Sequence, residues 1–205
     1  MFKRVSSLIV AIAMVLMTVT GAFAAPEFTS GKNGDEKIET LKNMGFITGY
    51  EDGSLKLEQS IKRSEFSKLI VEALEKTDAA NEINGKFKPF NDVELKYWAN
   101  GIISIVKAAT GLNNEVNIIG GYPDGTFKPE NNITNAEAIK MLVVLKKADL
   151  TKEMAKNAEW PVSWIKWAAE LGIIGEGSDV SSMLDMNAYA TRGDVFKMFF
   201  NTFEV

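Results

Sequence analysis

Four stretches of the chain carry apolar residues at the i, i+3, i+4 spacing that lines one face of a helix. Phe66, Leu69, Ile70, Ala73 and Leu74 predict a helix over about 64–76. Ile102, Ile105, Val106 and Ala109 predict another, ended by Gly111. Ile139, Leu142 and Val143 predict a third, and Phe196, Phe199, Phe200 and Phe203 give the last one a strongly apolar stripe. Two shorter sets, Ile38-Leu41-Met44 before Gly45 and Ile165-Ala168-Leu171 before Gly172, complete an all-α pattern.

The polar intervals between these helices repeat. Gly121-Tyr122, Asp124-Gly125 and Phe127 form a turn with an apolar anchor; Pro129 then prevents regular structure, and Thr134-Asn135-Ala136-Glu137 has capping-box spacing. Gly49-Tyr50-Glu51-Asp52-Gly53-Ser54-Leu55 and Ile61-Lys62-Arg63-Ser64-Glu65 repeat that grammar, with 12 residues from the glycine to the isoleucine in both copies. A weaker third copy ends in Ala190-Thr191-Arg192-Gly193-Asp194. Each copy reads as helix, loop, helix. A lone pair of helices cannot bury its stripe, so three copies packed around a common core, with pseudo-threefold symmetry, are expected.

The expected boundaries are 25–76 for copy one, 77–88 for a linker, 89–150 for copy two and 151–205 for copy three. Residues 26–35 form a loose lead-in, and Phe46-Ile47 packs down before Gly49. Lys62 stands where a capping Thr belongs and cannot accept an amide, which weakens that helix start by about 1 kcal/mol. Residues 112–119, an insertion in copy two, form a surface loop or a short hairpin. Residues 146–159 form an extra helical turn or a linker. The loop of copy three is longer and lacks the turn signature, of which Gly175-Glu176-Gly177 is a trace.

The N-terminus changes the picture of location. Lys3 and Arg4, the uncharged run Leu8–Thr20 and Ala22-Phe23-Ala24 predict a secretory signal over 1–24. Such a run rises only about 20 Å as a helix, short of a bilayer core of about 30 Å. Roughly 181 residues remain, enough for one sizeable core. Loss of Lys3 and Arg4 takes the net charge from −4 to about −6, which argues against nucleic acid and anionic lipid as partners. The absence of Cys and His removes thiolate chemistry, disulfides, the commonest metal ligand and the commonest general base. The Asp-Gly turns lack the calcium-loop pattern, and nothing marks a pair of carboxylates set for glycoside cleavage. A binding or structural protein without metal or cofactor is expected, rather than an enzyme.

The pattern GY-x-DG-x-F followed by I-T-R-A-E, with Phe90-Asn91-Asp92-Val93 and Trp98-Ala99 upstream in copy two, resembles the S-layer homology repeat of bacterial cell-surface proteins. The resemblance covers roughly residues 28–205. Copy one departs from it: the F-x-D-V element is missing, and Asn33 falls where the Trp is expected. It implies a three-repeat helical assembly with grooves between neighbours, and a cell-surface, S-layer-associated location. It also implies a partner, an acidic secondary cell-wall polysaccharide whose ketal-pyruvate sugar meets the motif arginine.

On that resemblance Arg63 and Arg192 are the carboxylate clamps. A guanidinium fork holds a carboxylate by two charge-assisted bonds, and a helix N-terminus adds amide donors. Asn135 occupies the same place in copy two and brings hydrogen bonds without charge, which leaves at most two strong carboxylate sites. Thr134 and Thr191 open the same helix starts. Trp98 and Trp160 either stack on a sugar or fill the core, and their apolar followers favour core. Asp92 caps a helix or meets the ligand. Gly49 and Gly121 serve the backbone or admit a ligand close to it. Asp52 and Asp124 are turn residues; Glu65, Glu137 and Asp194 are partners in capping boxes.

The family's repeats usually tether a separate cargo domain, for which 205 residues leave no room. Two readings follow: a minimal wall-binding protein, or an envelope scaffold that binds S-layer or other envelope proteins. The second predicts an exposed apolar patch at 112–119 or on the Phe-rich last helix.

Overall fold

The computed structural model describes residues 34–203, so the leader, residues 26–33 and Asn33 lie outside the described part. It contains helices α1 (Gly34–Asn43), α2 (Arg63–Ala73), α3 (Thr77–Ile83), α4 (Asn100–Ala108), α5 (Asn135–Lys146), α6 (Lys152–Asn157), α7 (Val162–Glu170) and α8 (Arg192–Phe203). The described residues form no sheet, only isolated bridges. The six principal helices fall on the six apolar stripes. The expected linker 77–88 instead carries α3, which packs against α2 and α4, with Ala80 buried. Close approach enforces this packing: a Cβ on Gly101 of α4 would lie 2.0 Å from the Ala80 carbonyl oxygen.

The helices pair between copies rather than within them. The first helix of each copy lies on the second helix of the copy before: α4 on α2, α7 on α5, and α1 back on α8. The first and last described helices therefore close the assembly.

At the centre is a closed ring of backbone hydrogen bonds. The Ile61 amide donates to the Ala190 carbonyl (3.2 Å), Ala190 to Ile133 (2.9 Å), and Ile133 to Ile61 (3.0 Å). All three residues are buried. Two more amides of each copy, at the helix start that follows, donate to the other neighbour, so they run round the axis in the opposite sense. Arg63, Asn135 and Arg192 donate to Asn131, Ala188 and Gln59, and Ser64, Ala136 and Gly193 to Pro129, Met186 and Leu57, at 2.8–3.2 Å. One relation repeated three times is a pseudo-threefold axis. It also satisfies first-turn amides that a helix leaves without an internal acceptor. Small side chains suit the second of these positions, since a Cβ on Gly193 would stand 3.3 Å from the Leu57 carbonyl oxygen.

The insertion 112–119 is a loop pinned by one bridge, Thr110 to Asn117, and it buries Ile118 and Ile119. Phe46 meets Phe199 edge-on at 5.7 Å, and Ile47 is buried, as expected of that piece. Phe196, Phe199 and Phe200 of α8 are buried too. Neither place offers the exposed apolar patch that the scaffold reading required.

The closing pair α1–α8 differs from the others at one core position. Eight residues before Gly45, Gly111 and Gly172 stand Lys37, Ile103 and Trp164, all buried. Lys37, 1% exposed, reaches Asp179 at 2.9 Å and donates to the Ser178 carbonyl at 3.1 Å. Stranding a buried charge is costly, whereas replacing it with an apolar side chain is often neutral. Asp179→Ala should therefore lower stability by about 1–3 kcal/mol, and Lys37→Met should leave it within about 1 kcal/mol of the parent. Urea unfolding midpoints of the two variants test this.

Candidate functional site

The ring of amide bonds decides where each motif side chain goes. Residue 63 starts α2 while its amide is held by the loop of copy two, so the Arg63 side chain crosses the junction onto that loop. Its Nε donates to the Phe127 carbonyl at 2.8 Å, and its Nη1 lies 3.1 Å from Glu137 Oε1. The guanidinium carbon stands 4.8 Å from the Tyr122 ring centre and 4.7 Å from that of Phe127. The Tyr122 hydroxyl donates to the same Glu137 oxygen at 2.5 Å. Arg63 is only 6% exposed.

Arg192 repeats this geometry against copy one. Nε donates to the Leu55 carbonyl at 2.9 Å, Nη1 to Glu65 Oε2 at 3.4 Å, and the guanidinium lies 5.0 Å from Tyr50 and 5.2 Å from Phe196. At the third junction Asn135 donates through Nδ2 to the Asp185 carbonyl at 2.9 Å, and its buried Oδ1 has no partner.

Two expectations change here. The guanidinium forks are already half spent on a carbonyl and a carboxylate of the protein; among the described residues only Nη2 of each arginine has no partner. The amides of Arg63, Ser64, Asn135, Ala136, Arg192 and Gly193 go to the neighbouring loop, so these helix starts do not offer them to an anion.

The other candidates fall into distinct roles. Thr134 Oγ1 accepts from the Glu137 amide at 3.3 Å, Glu137 Oε2 accepts the Thr134 amide at 3.0 Å, and Thr191 pairs with Asp194 similarly, so both hydroxyls are engaged in caps. Lys62 retains half a box: Glu65 accepts its amide at 3.0 Å, while its ammonium reaches Glu130. Asp92 caps no helix; its two oxygens accept the Phe127 and Lys128 amides at 2.8 and 2.7 Å and brace the loop that Arg63 meets. Asp52 and Asp124 close their turns onto Ser54 and Thr126. Gly121 has φ +73, and a Cβ there would lie 2.4 Å from the Phe90 ring; Gly49 is constrained by space alone, with Gly53 O at 2.9 Å.

Trp98 and Trp160 are not core. They are 51% and 52% exposed because each precedes its helix, in the turn before Asn100 and before Val162. Trp98 lies 5.8 Å from Tyr97, whose hydroxyl bonds Glu130 at 2.5 Å. Tyr50 and Tyr122, the second residues of the two turn motifs, are the aromatic faces beside the arginines; their identical position in both copies was the available signal. An open cleft of about 310 Å³ between α1 and the first loop, lined by Ile38, Glu39, Leu55 and Leu57 among others, contains none of the candidate residues.

Electrostatics agree with the geometry. Burial works to raise the Glu137 carboxyl, but the Thr134 amide, the Tyr122 hydroxyl and Arg63 outweigh it and hold the group below its ordinary value. Tyr122 is pushed up to about 12, first by burial and then by its bond to Glu137.

The comparisons with known proteins match this architecture. The family model described as S-layer homology domain matches residues 114–139, which run through the second copy's turn, descent and helix start. The chain is an S-layer homology domain protein. It is 31% identical to the middle cell wall protein of Brevibacillus brevis over 99% of its own length and 18% of that protein's. It is 30% identical to a surface layer protein of Brevibacillus choshinensis, with 99% of the chain and 17% of the relative covered. A cellulosome-anchoring protein of Acetivibrio thermocellus is 35% identical over 71% of the chain and 26% of its own length. The chain thus spans about a fifth of the Brevibacillus relatives it matches. Among the described residues no helix is long and apolar enough to cross a membrane.

A carboxylate held below its ordinary value stabilises the fold at neutral pH, and that contribution is lost as pH falls through the depressed value. Glu137→Gln should be less stable than the parent at pH 7 by about 2 kcal/mol, with the gap closing on the acid side. Urea midpoints measured from pH 7 to pH 3 check the sign.

Proposed function

We propose that this chain attaches non-covalently to the cell envelope by binding an acidic, pyruvylated secondary cell-wall polysaccharide in the grooves between neighbouring copies. The observation that carries the reading is the buried arginine at two of three junctions, clamped from one side by the protein and flanked by a tyrosine. Nη2 of Arg63 and of Arg192 is left for a ligand oxygen. The half-exposed Trp98 and Trp160 offer faces on which sugar rings stack, a use of aromatic surface that a buried position would forbid. Surface-layer and anchoring proteins among the relatives support attachment as the role, and the secretory leader read in the sequence fits an exported, wall-associated location. Two arginine junctions on one rigid body would bind a polymer multivalently, raising apparent affinity without new contacts. Asn135 gives the third junction hydrogen bonds without charge and suits a neutral sugar. No residue in these junctions is asked to do bond-breaking chemistry.

Co-sedimentation of residues 25–205 with cell-wall sacculi, before and after acid stripping of the secondary polymer, tests the reading. Binding should vanish on stripping and weaken about tenfold in Arg63→Ala and in Arg192→Ala, the loss of one charge-assisted contact each. Circular dichroism separates this from unfolding, since each arginine also holds a loop carbonyl. Retention of the parent on stripped walls would overturn it.

A further inference from the structure

Lys62 stands where a hydroxyl would cap α2, and its side chain turns to copy two instead. The ammonium donates to Glu130 Oε2. The other oxygen of that carboxylate, Oε1, accepts the Tyr97 hydroxyl at 2.5 Å. Tyr97 in turn lies beside Trp98, with ring centres 5.8 Å apart and planes inclined at 47°. Three side chains thus run from the start of α2, in copy one, across the junction to the exposed indole ahead of α4. The Glu130 carboxyl is held below its ordinary value, first by Lys62 and then by Tyr97, so it accepts from both at neutral pH. Tyr97 is pushed up to about 12, first by burial and then by its bond to Glu130, so its hydroxyl keeps the proton it donates.

Stability alone gives little reason for this arrangement. The side chains of Lys62 and Glu130 are 47% and 55% exposed, and ion pairs in water contribute little. What the contacts do is fix Tyr97, the flank against which Trp98 rests. A half-exposed indole has few neighbours to set its angle, and a ring that must be immobilised when a sugar stacks on it loses rotamer freedom. The second exposed tryptophan makes the contrast. Trp160 follows Glu159, and the places of Lys62 and Glu130 are taken by Thr134 and Asn187. Thr134 is engaged in its cap, and among the described residues Trp160 has no ring contact like that of Trp98.

We propose that Tyr97, Glu130 and Lys62 are positioning residues for Trp98: they hold its indole at a set angle, so that the junction of copies one and two presents a preorganised stacking face. The Trp160 junction has no such brace. The inference rests on the polysaccharide reading and goes beyond it, since it ranks the two tryptophans and gives Lys62 a role that its place in the motif does not. The chemistry recognised at Trp98 is the apolar face of a sugar ring.

The test is binding of the mature chain to purified secondary wall polymer, with thermal unfolding measured beside it. Trp98→Ala should bind about tenfold more weakly than the parent, and Tyr97→Phe and Glu130→Ala about threefold more weakly. Lys62→Thr should bind about twofold more weakly although it restores a capping residue and should leave the unfolding temperature at or above that of the parent. A merely structural role would move the two readouts together. In Trp98→Ala, the further change Tyr97→Phe should add nothing, because Tyr97 acts only through the indole. A further loss in that double variant would overturn the inference. If Tyr97→Phe and Glu130→Ala, or Trp98→Ala itself, bind as the parent does while Arg63→Ala is weakened, the inference fails and the polysaccharide reading stands. Lys62→Thr binding like the parent would overturn the place of Lys62 in the set. A parent that does not bind the polymer would overturn both.

Discussion

Three backbone hydrogen bonds, from Ile61 to Ala190, Ala190 to Ile133 and Ile133 to Ile61, are the constraint from which the rest of this molecule follows. They close on themselves, so no copy can shift without breaking two of them. They lie in the dry core, where an unmade bond costs the full desolvation of the group. Because two helix-start amides of each copy also go to the other neighbour, the starts of α2, α5 and α8 are fixed in direction as well as place. The first side chain of each helix must then lean over the adjoining loop. Arg63, Asn135 and Arg192 come to the junctions for that reason.

The same constraint limits what the junctions could offer a ligand. Helix starts are good anion sites when their amides are free, but here a neighbouring carbonyl has taken the leading ones. On the proposed reading recognition would fall to side chains: a guanidinium with one nitrogen to spare, a tyrosine face and an indole in a turn. Each arginine is pre-positioned by its loop carbonyl and its carboxylate, so little side-chain freedom would remain to be lost if a ligand bound there. The carboxylate has a cost, since it would cancel the charge that the proposed acidic ligand meets.

Much of this was legible in the sequence, and the parts that were not share a cause. Stripes such as Phe66-Leu69-Ile70-Ala73 mark helices because burial acts through periodicity, and Thr134 with Glu137 marks a cap because the bond spans three residues. The turn at Asp124-Gly125 and the buried anchor Phe127 are likewise local. What escaped is non-local. Spacing does not say that Gly193 faces Leu57, or that first helices pair with the preceding copy. Apolar followers made Trp98 and Trp160 look like core, but both sit ahead of the first helical turn and are half-exposed. Asp92 looked like a possible helix cap and instead braces a loop, because its partners lie 35 and 36 residues away. The linker 77–88 lacked a stripe, yet α3 forms there because α4 offers Gly101 as a seat.

A ring made of main chain also explains how the copies have diverged. Lys62 removes the capping hydroxyl from α2, and half its box with it, yet the Arg63 amide still meets Asn131 at 2.9 Å and the ring persists. Asn135 removes a guanidinium, yet its amide still meets Ala188 at 3.0 Å. Side chains at these positions are thus free of the task of holding the axis, and substitutions there alter the chemistry of a junction while the ring stays in place. A repeat protein whose symmetry resided in its side chains would have to keep its sites alike. In this one three unlike junctions are compatible with one symmetric core, so charge at each junction is the quantity left open to selection.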